Sequence, residues 1–160
     1  LADALTYFHR YLFVMPLLAQ FEMDMHERIE RGKALSADEM SARMLELLRE
    51  GYGAEAALDA ERDGVMWAQF SHLYLNFYTY TYGLGLSAAT ALADGVLHGA
   101  PDASARYLEF LKVGDSVYPL EAWRLVGVDM SAPEPVEQAF GALEQMIDRL
   151  DALVGEGPLG

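Results

Sequence analysis

Apolar side chains recur at three- and four-residue steps from the start of the chain: Leu5, Phe8, Leu12, Met15, Ala19 and Met23, with Phe21, Met25 and Ile29 beside them. This spacing predicts one long amphipathic helix over residues 1–31, kinked at Pro16, where a backbone donor is lost, and ended by Gly32. Ser36 followed by Glu39 is a capping-box signature, and Met40, Met44, Leu47 and Leu48 supply a core face up to Gly51, so a second helix is expected over 36–50. Residues 52–64 are charged and weakly periodic, which predicts a connector or a short helix. Residues 65–99 are almost continuously apolar or aromatic, too long for an ordinary strand, and end in Gly99-Ala100-Pro101; one or two stacked helices are expected there. Three more follow over 102–113, 119–126 and 134–154, separated by Gly114-Asp115-Ser116 and by the turn-rich run from Gly127 to Pro133. No alternating strand pattern of useful length and no fixed-period repeat interrupts this order. The expected fold class is all-α with about six to seven helices. Residues 1–154 are expected to form a single all-helical domain and residues 155–160 a flexible Gly-rich tail. Residue 1 reads as lying inside a helix already under way, which predicts a piece of something larger.

Composition narrows the partners. The chain has 160 residues, 52% of them hydrophobic and 22% charged, the balance of a folded chain with one domain's worth of core. No apolar run is long enough to span a bilayer, and the first residues read as amphipathic helix rather than a leader, so neither a membrane partner nor a signal peptide is expected. Eleven basic against 25 acidic residues give a net charge of -14, which opposes binding to the phosphate backbone of nucleic acids or to an anionic membrane. There is no cysteine, hence no disulfide, thiolate nucleophile or cysteine zinc site, which fits a reducing, cytoplasmic setting.

The candidate chemistry concentrates between His72 and Ala89, where Tyr74, Tyr78, Tyr80 and Tyr82 account for four of the nine tyrosines. A buried helix needs apolar bulk, but each phenolic hydroxyl taken out of water must find a partner, so this density points to a substrate-facing surface. At about 100° per residue, Tyr74, Tyr78 and Tyr82 form one stripe while Phe77 and Tyr80 point elsewhere. His72 lies off that stripe. For His72 to share a cleft with the tyrosines, the helix must begin after His72 or bend. The alternative is an aromatic core whose hydroxyls bond to neighbouring helices.

Two motif matches fail on physical grounds. His26-Glu27-Arg28-Ile29-Glu30 has glutamate where a helical His-Glu-x-x-His site needs its second imidazole. His9, His72 and His98 have no histidine or acidic partner at ligand spacing, so this chain alone is expected to hold no metal. Gly83-Leu84-Gly85 matches the letters of a dinucleotide fingerprint, but that fingerprint needs a preceding strand, and tyrosines in a helical context precede it here. The two glycines instead allow close approach to the backbone, by a packing helix or by a peptide.

Taken in order, Phe21-Glu22, His26-Glu27, Trp67 through His72, the run Phe77-Tyr78-Thr79-Tyr80-Thr81-Tyr82, Gly85-Leu86-Ser87-Ala88-Ala89, the stretch Tyr107 to Gly114, Pro119-Leu120-Glu121 and Gly127 to Pro135 resemble the C-terminal part of oligoendopeptidase F, a zinc metallopeptidase of the thimet oligopeptidase and neurolysin group. The resemblance covers nearly the whole chain. It implies the helical C-terminal subdomain of a channel-type zinc peptidase that cleaves short peptides internally. In that group a His-Glu-x-x-His helix and a later glutamate hold the zinc, and the motif's glutamate activates the bound water; those residues are expected upstream of Leu1. A downstream histidine and tyrosines face the zinc, binding substrate and stabilising the oxyanion. By position His72 matches that histidine, and Tyr78 and Tyr82 match the tyrosines. The thimet branch has a glycine pair where this chain has Leu75-Asn76, which keeps Tyr80 in the candidate set. Tyr74, Tyr80, Gly83 and Gly85 are the candidate substrate-binding residues.

The resemblance thus implies an oligopeptide substrate, the N-terminal half of the same enzyme as partner, and a fragment inactive alone. Faces made to be covered would then be exposed and would drive self-association. The rival reading is a non-enzymatic acidic helical module that uses the aromatic stretch as an interaction surface.

Overall fold

The computed structural model describes residues 1–155. The expected tail lies outside them except for Gly155, which ends the last helix. The helices are α1 (Ala2–His9), α2 (Met15–Glu30), α3 (Ala37–Tyr52), α4 (Ala60–Asp63), α5 (Tyr80–Leu97), α6 (Ala103–Val113), α7 (Pro119–Leu125) and α8 (Glu134–Gly155). A π-helical stretch, Arg10–Val14, joins α1 to α2, and single 3-10 turns occupy Met66–Gln69 and Ser71–Tyr74. The described residues contain no strand, so the class is all-α as the periodicity predicts.

The irregularity expected at Pro16 falls just before it. The Met15 N–H reaches back to the Arg10 carbonyl, the wider π register. Proline offers no donor to the carbonyl four residues earlier and its ring crowds that carbonyl, so the register opens in the preceding turn. α3 starts on the full capping box: the Ser36 hydroxyl accepts from the Glu39 N–H at 3.2 Å, and the Glu39 carboxylate accepts from the Ser36 N–H at 3.0 Å. α3 also runs past its expected end at Gly51. Gly53, at φ +75°, supplies the left-handed residue that stops it. Gly51 sits inside the last turn, with Leu17 3.2 Å from where a Cβ would be.

Two compact units divide the chain: His9–Gly83, and Leu1–Phe8 with the chain from Leu84 onward. In the first unit Met15, Leu18, Phe21 and Met25 of α2 pack with Met44, Leu47 and Leu48 of α3. Met23, expected on the apolar stripe, and Ile29, expected beside it, are 46% and 56% exposed. Each four-residue step overshoots a helical turn by about 40°, so two steps carry Met23 about 80° from Met15, and Leu18 takes the inward place. Across the outer side of the same helices Arg43 pairs with Asp24 at 2.7 Å. In the second unit Ala88 of α5 packs with Val126 and Val128, and the rings of Phe110 (α6) and Trp123 (α7) stack at 4.9 Å.

The largest departure from the periodicity lies in residues 65–99, where only Tyr80–Leu97 is α-helix. Upstream, the chain is pinned onto α2 and α3 by side chains. Trp67 stacks on Phe21 with ring centroids 6.3 Å apart and donates from Nε1 to the Ser41 hydroxyl at 3.2 Å. Met66, Phe70 and Leu73 pack on the same core. Burial of these bulky side chains outweighs the gain from continuing a helix through them, because helix propensity is a weak preference that tertiary packing overrides.

Candidate functional site

The late start of α5 brings His72 back to the tyrosines. Its imidazole lies parallel to the Tyr78 ring, with centroids 5.9 Å apart and planes 7° apart, and edge-on to Tyr82 at 5.5 Å. Tyr78 and Tyr82 meet edge to face at 5.3 Å, their hydroxyl oxygens 3.0 Å apart. The Tyr11 ring is stacked flat on Tyr82 at 5.4 Å, and Phe70 stands 6.0 Å from His72. Tyr78 is 38% exposed, so the cluster is open on one side.

The mutual hydrogen bond with Tyr78, followed by partial desolvation, raises the Tyr82 phenol above its ordinary range. Either hydroxyl can be the donor in this bond; where Tyr82 O–H donates, the Tyr78 oxygen accepts. Each hydroxyl carries one donor hydrogen, and that of Tyr78 is then left for an outside acceptor.

The backbone is braced around these rings. Tyr78 N–H donates to the Leu75 carbonyl at 3.1 Å, closing a turn with Asn76 and Phe77 at its centre. Phe77 has φ +51°, a left-handed conformation that a bulky residue adopts at a cost of about 1–3 kcal/mol. Its N–H is held by Oε1 of Glu22 at 2.7 Å, from 55 residues away in sequence, and its ring lies 4.8 Å from His26. On the far side of Tyr78, Thr81 donates from N–H and from Oγ1 to the Tyr78 carbonyl, at 3.2 and 2.6 Å.

Three buried side-chain atoms among the described residues have no hydrogen-bond partner: Glu22 Oε2, His72 Nδ1 and Thr79 Oγ1. All three belong to this neighbourhood. Thr79 is fully buried beside Tyr78, and Glu22 is 5% exposed. Buried polar atoms are nearly always paired, and the exceptions ask for an explanation.

The other candidates spread out. Tyr80 opens α5 and is 50% exposed; Tyr74 ends a 3-10 turn, is 85% exposed, and borders a cavity of about 210 Å³ together with Glu22, His26, Trp67 and Leu73. Among the described residues neither ring stacks on His72, since the turn at Leu75–Tyr78 breaks the expected Tyr74–Tyr78–Tyr82 stripe. A Cβ on Gly83 would lie 3.2 Å from the Tyr11 carbonyl oxygen and 3.4 Å from Pro16, so Gly83 lets the start of α5 approach the π-helical bend. Beside Gly85 the space is open to 4 Å. Tyr11 and Glu22 escaped the sequence reading of the site. Tyr11 carried no separate signal, and Glu22 stood in a matched dipeptide without a role. His98 also has an acidic partner that the reading missed: Asp94, one helical turn earlier, approaches its Nδ1 to 2.8 Å.

Among the described residues no three of His, Asp and Glu converge as a metal-binding group.

The model of peptidase family M3 matches residues 4–142. The chain belongs to peptidase family M3. It is 34% identical over 143 residues to the oligopeptidase PepF of Bacillus subtilis, a match covering 89% of this chain and 21% of that protein. It is 35% identical over 146 residues to an oligoendopeptidase F homolog of Lactococcus lactis subsp. lactis, covering 91% of this chain and 24% of that one. The crystal structure of oligoendopeptidase-F from Enterococcus faecium superposes with a TM-score of 0.89 at 32% identity, over 98% of this chain and 30% of that chain. This M3 chain thus corresponds to less than a third of the length of each of these three relatives. No helix among the described residues is long and apolar enough to cross a membrane.

Proposed function

We propose that this chain is the substrate-facing C-terminal part of an oligoendopeptidase F-like zinc metallopeptidase that hydrolyses short peptides. In this reading residues 1–154 form one all-helical part of a larger, cytoplasmic catalytic domain. The names of the relatives support the peptidase class, and the convergence of His72, Tyr78 and Tyr82 is the observation that carries the reading to the site. Amide hydrolysis passes through a tetrahedral intermediate whose oxygen gains negative charge, and donors already aimed at that oxygen lower the barrier. Tyr78 is the donor: Tyr82 supplies a hydrogen to its oxygen, and the remaining Tyr78 O–H points its one hydrogen at the developing charge. His72, parallel to Tyr78, holds that ring in place and donates to the substrate carbonyl. Tyr74, Tyr80, Gly83 and Gly85 are the residues that bind the peptide in this reading, and of the two glycines Gly85 is the one with open space beside it. The zinc belongs to residues outside this chain, and the unpaired Nδ1 of His72 and Oγ1 of Thr79 are satisfied when the rest of the enzyme is in place.

The test uses both the full-length protein containing this segment and the segment alone. The full-length protein cleaves an internally quenched peptide and contains zinc, whereas the isolated chain does neither. Stoichiometric zinc in the isolated chain, or a full-length protein that lacks a zinc motif and leaves peptides intact, overturns the proposal and favours the acidic interaction module. Phe140, Ile147, Leu150 and Leu153 on α8 are all exposed. That apolar surface supports self-association of the isolated chain, which sedimentation measures directly.

A further inference from the structure

We infer that Glu22 is a positioning residue: through the Phe77 N–H it holds the strained Leu75–Tyr78 turn and thereby places Tyr78 against His72. The inference rests on the peptidase reading for its kinetic consequence and on geometry alone for its structural one.

Four observations meet at this carboxylate. Glu22 is 5% exposed, on the face of α2 that packs into the core between Phe21 and Met25. Its Oε1 accepts the Phe77 N–H at 2.7 Å. Phe77 sits at φ +51°, where glycine or asparagine is at home and phenylalanine is not. Finally, Oε2 is buried with no partner. A buried carboxylate with half its acceptors unfilled is a poor way to stabilise a fold, because burial without pairing opposes folding. One bond to one amide is a good way to fix a backbone position.

The consequence runs through the turn. Without the acceptor, the Phe77 N–H is orphaned and the residue relaxes toward negative φ. That rotation swings the next residue, Tyr78, away from its parallel stacking on His72 and shifts the hydroxyl that Tyr82 supports. His72 itself is fixed separately by the packing of Phe70 and Leu73 on the core, so the pair comes apart rather than moving together. Displacement of a reacting group by about 1 Å lowers turnover up to about 100-fold.

The test compares Glu22→Ala and Glu22→Gln in the full-length protein containing this segment. Three quantities are read: kcat and KM on an internally quenched peptide, amide hydrogen exchange over residues 75–79, and melting temperature. Glu22→Ala is expected to lower kcat by about 10- to 100-fold with KM within about threefold, and to speed exchange at Phe77 and Tyr78. Glu22→Gln keeps a carbonyl acceptor for the same N–H and removes the buried charge, so kcat and slow exchange return to near the original values, whichever way the melting temperature moves. Glu22→Ala with unchanged kcat and unchanged exchange overturns the inference, as does Glu22→Gln as damaging as Glu22→Ala. If Glu22→Ala does not fold, Glu22→Asp, one methylene short of the amide, replaces it in the same comparison. A full-length protein that cleaves no peptide defeats the proposed function instead, and the exchange measurement still decides the role of Glu22.

Discussion

His72 and Tyr78 lie ring against ring, 5.9 Å apart and within 7° of parallel, although they are six positions apart and no regular helix could stack them. The juxtaposition depends on a tight turn at Asn76-Phe77 followed by the start of α5 at Tyr80. It brings an imidazole and two linked phenols onto one open surface, an arrangement suited to binding a carbonyl oxygen and stabilising it when it becomes negative.

Removing one hydroxyl should separate the two tyrosines. Tyr78→Phe takes away the outward donor and is expected to lower kcat of the full-length protein by about 10²- to 10³-fold. Tyr82→Phe removes only the supporting bond and should have the smaller effect. Steady-state kinetics of both variants measure this ordering, and equal, negligible effects would mean that the tyrosines merely pack.

The same pair predicts an alkaline signature. The bond to Tyr78 raises Tyr82 above its ordinary pKa of 10.0, and burial raises Tyr52 in the same direction. For both, the folded state holds the proton more tightly than the unfolded state. Their contribution to stability is therefore complete below the ordinary phenol pKa and is lost as pH rises through the folded value. Ultraviolet titration of tyrosinate should show steps later than the unfolded chain, and Tyr78→Phe should move the Tyr82 step earlier.

Two glycines two residues apart in sequence but different in surroundings give opposite outcomes. Gly83→Ala would put a methyl against the Tyr11 carbonyl and Pro16, and is expected to destabilise by about 1–3 kcal/mol. Gly85→Ala meets nothing within 4 Å inside α5, and should stabilise by about 0.5–1 kcal/mol. Urea melts of the two variants check the contrast.

Ser36→Ala tests the capping box. The N-cap hydroxyl contributes about 1 kcal/mol to a helix. The backbone N–H of Ser36, then its hydroxyl and Arg28, lower the Glu39 carboxyl below its usual value. A lowered carboxyl adds stability that is present above the unfolded pKa and fades as pH falls through the folded one. Ser36→Ala should therefore melt earlier at neutral pH, with the difference shrinking in acid.

Much of the scaffold was legible in the chain because helices are local. Met40, Met44, Leu47 and Leu48 repeat at turn spacing, and Ser36 with Glu39 marks where the turn begins; α3 follows from them. The stripe through Met23 failed because steps of four drift around the helix, and of the one or two helices expected over 65–99 only Tyr80–Leu97 is α-helix, because Trp67, Phe70 and Leu73 are held by α2 and α3 rather than by each other.

The sequence by itself determined the all-α class, the family, and which residue types could do chemistry, since composition, periodicity and ordered motifs are properties of neighbours along the chain. Only the tertiary structure decided that His72 meets Tyr78 and Tyr82, that Tyr74 falls off their stripe, that Tyr11 backs Tyr82, and that Glu22 holds Phe77 from 55 residues away. Helical periodicity reports partners three or four positions apart. A carboxylate that captures a distant amide leaves no period in the sequence, and the turn it holds exists only once the core beneath it has packed.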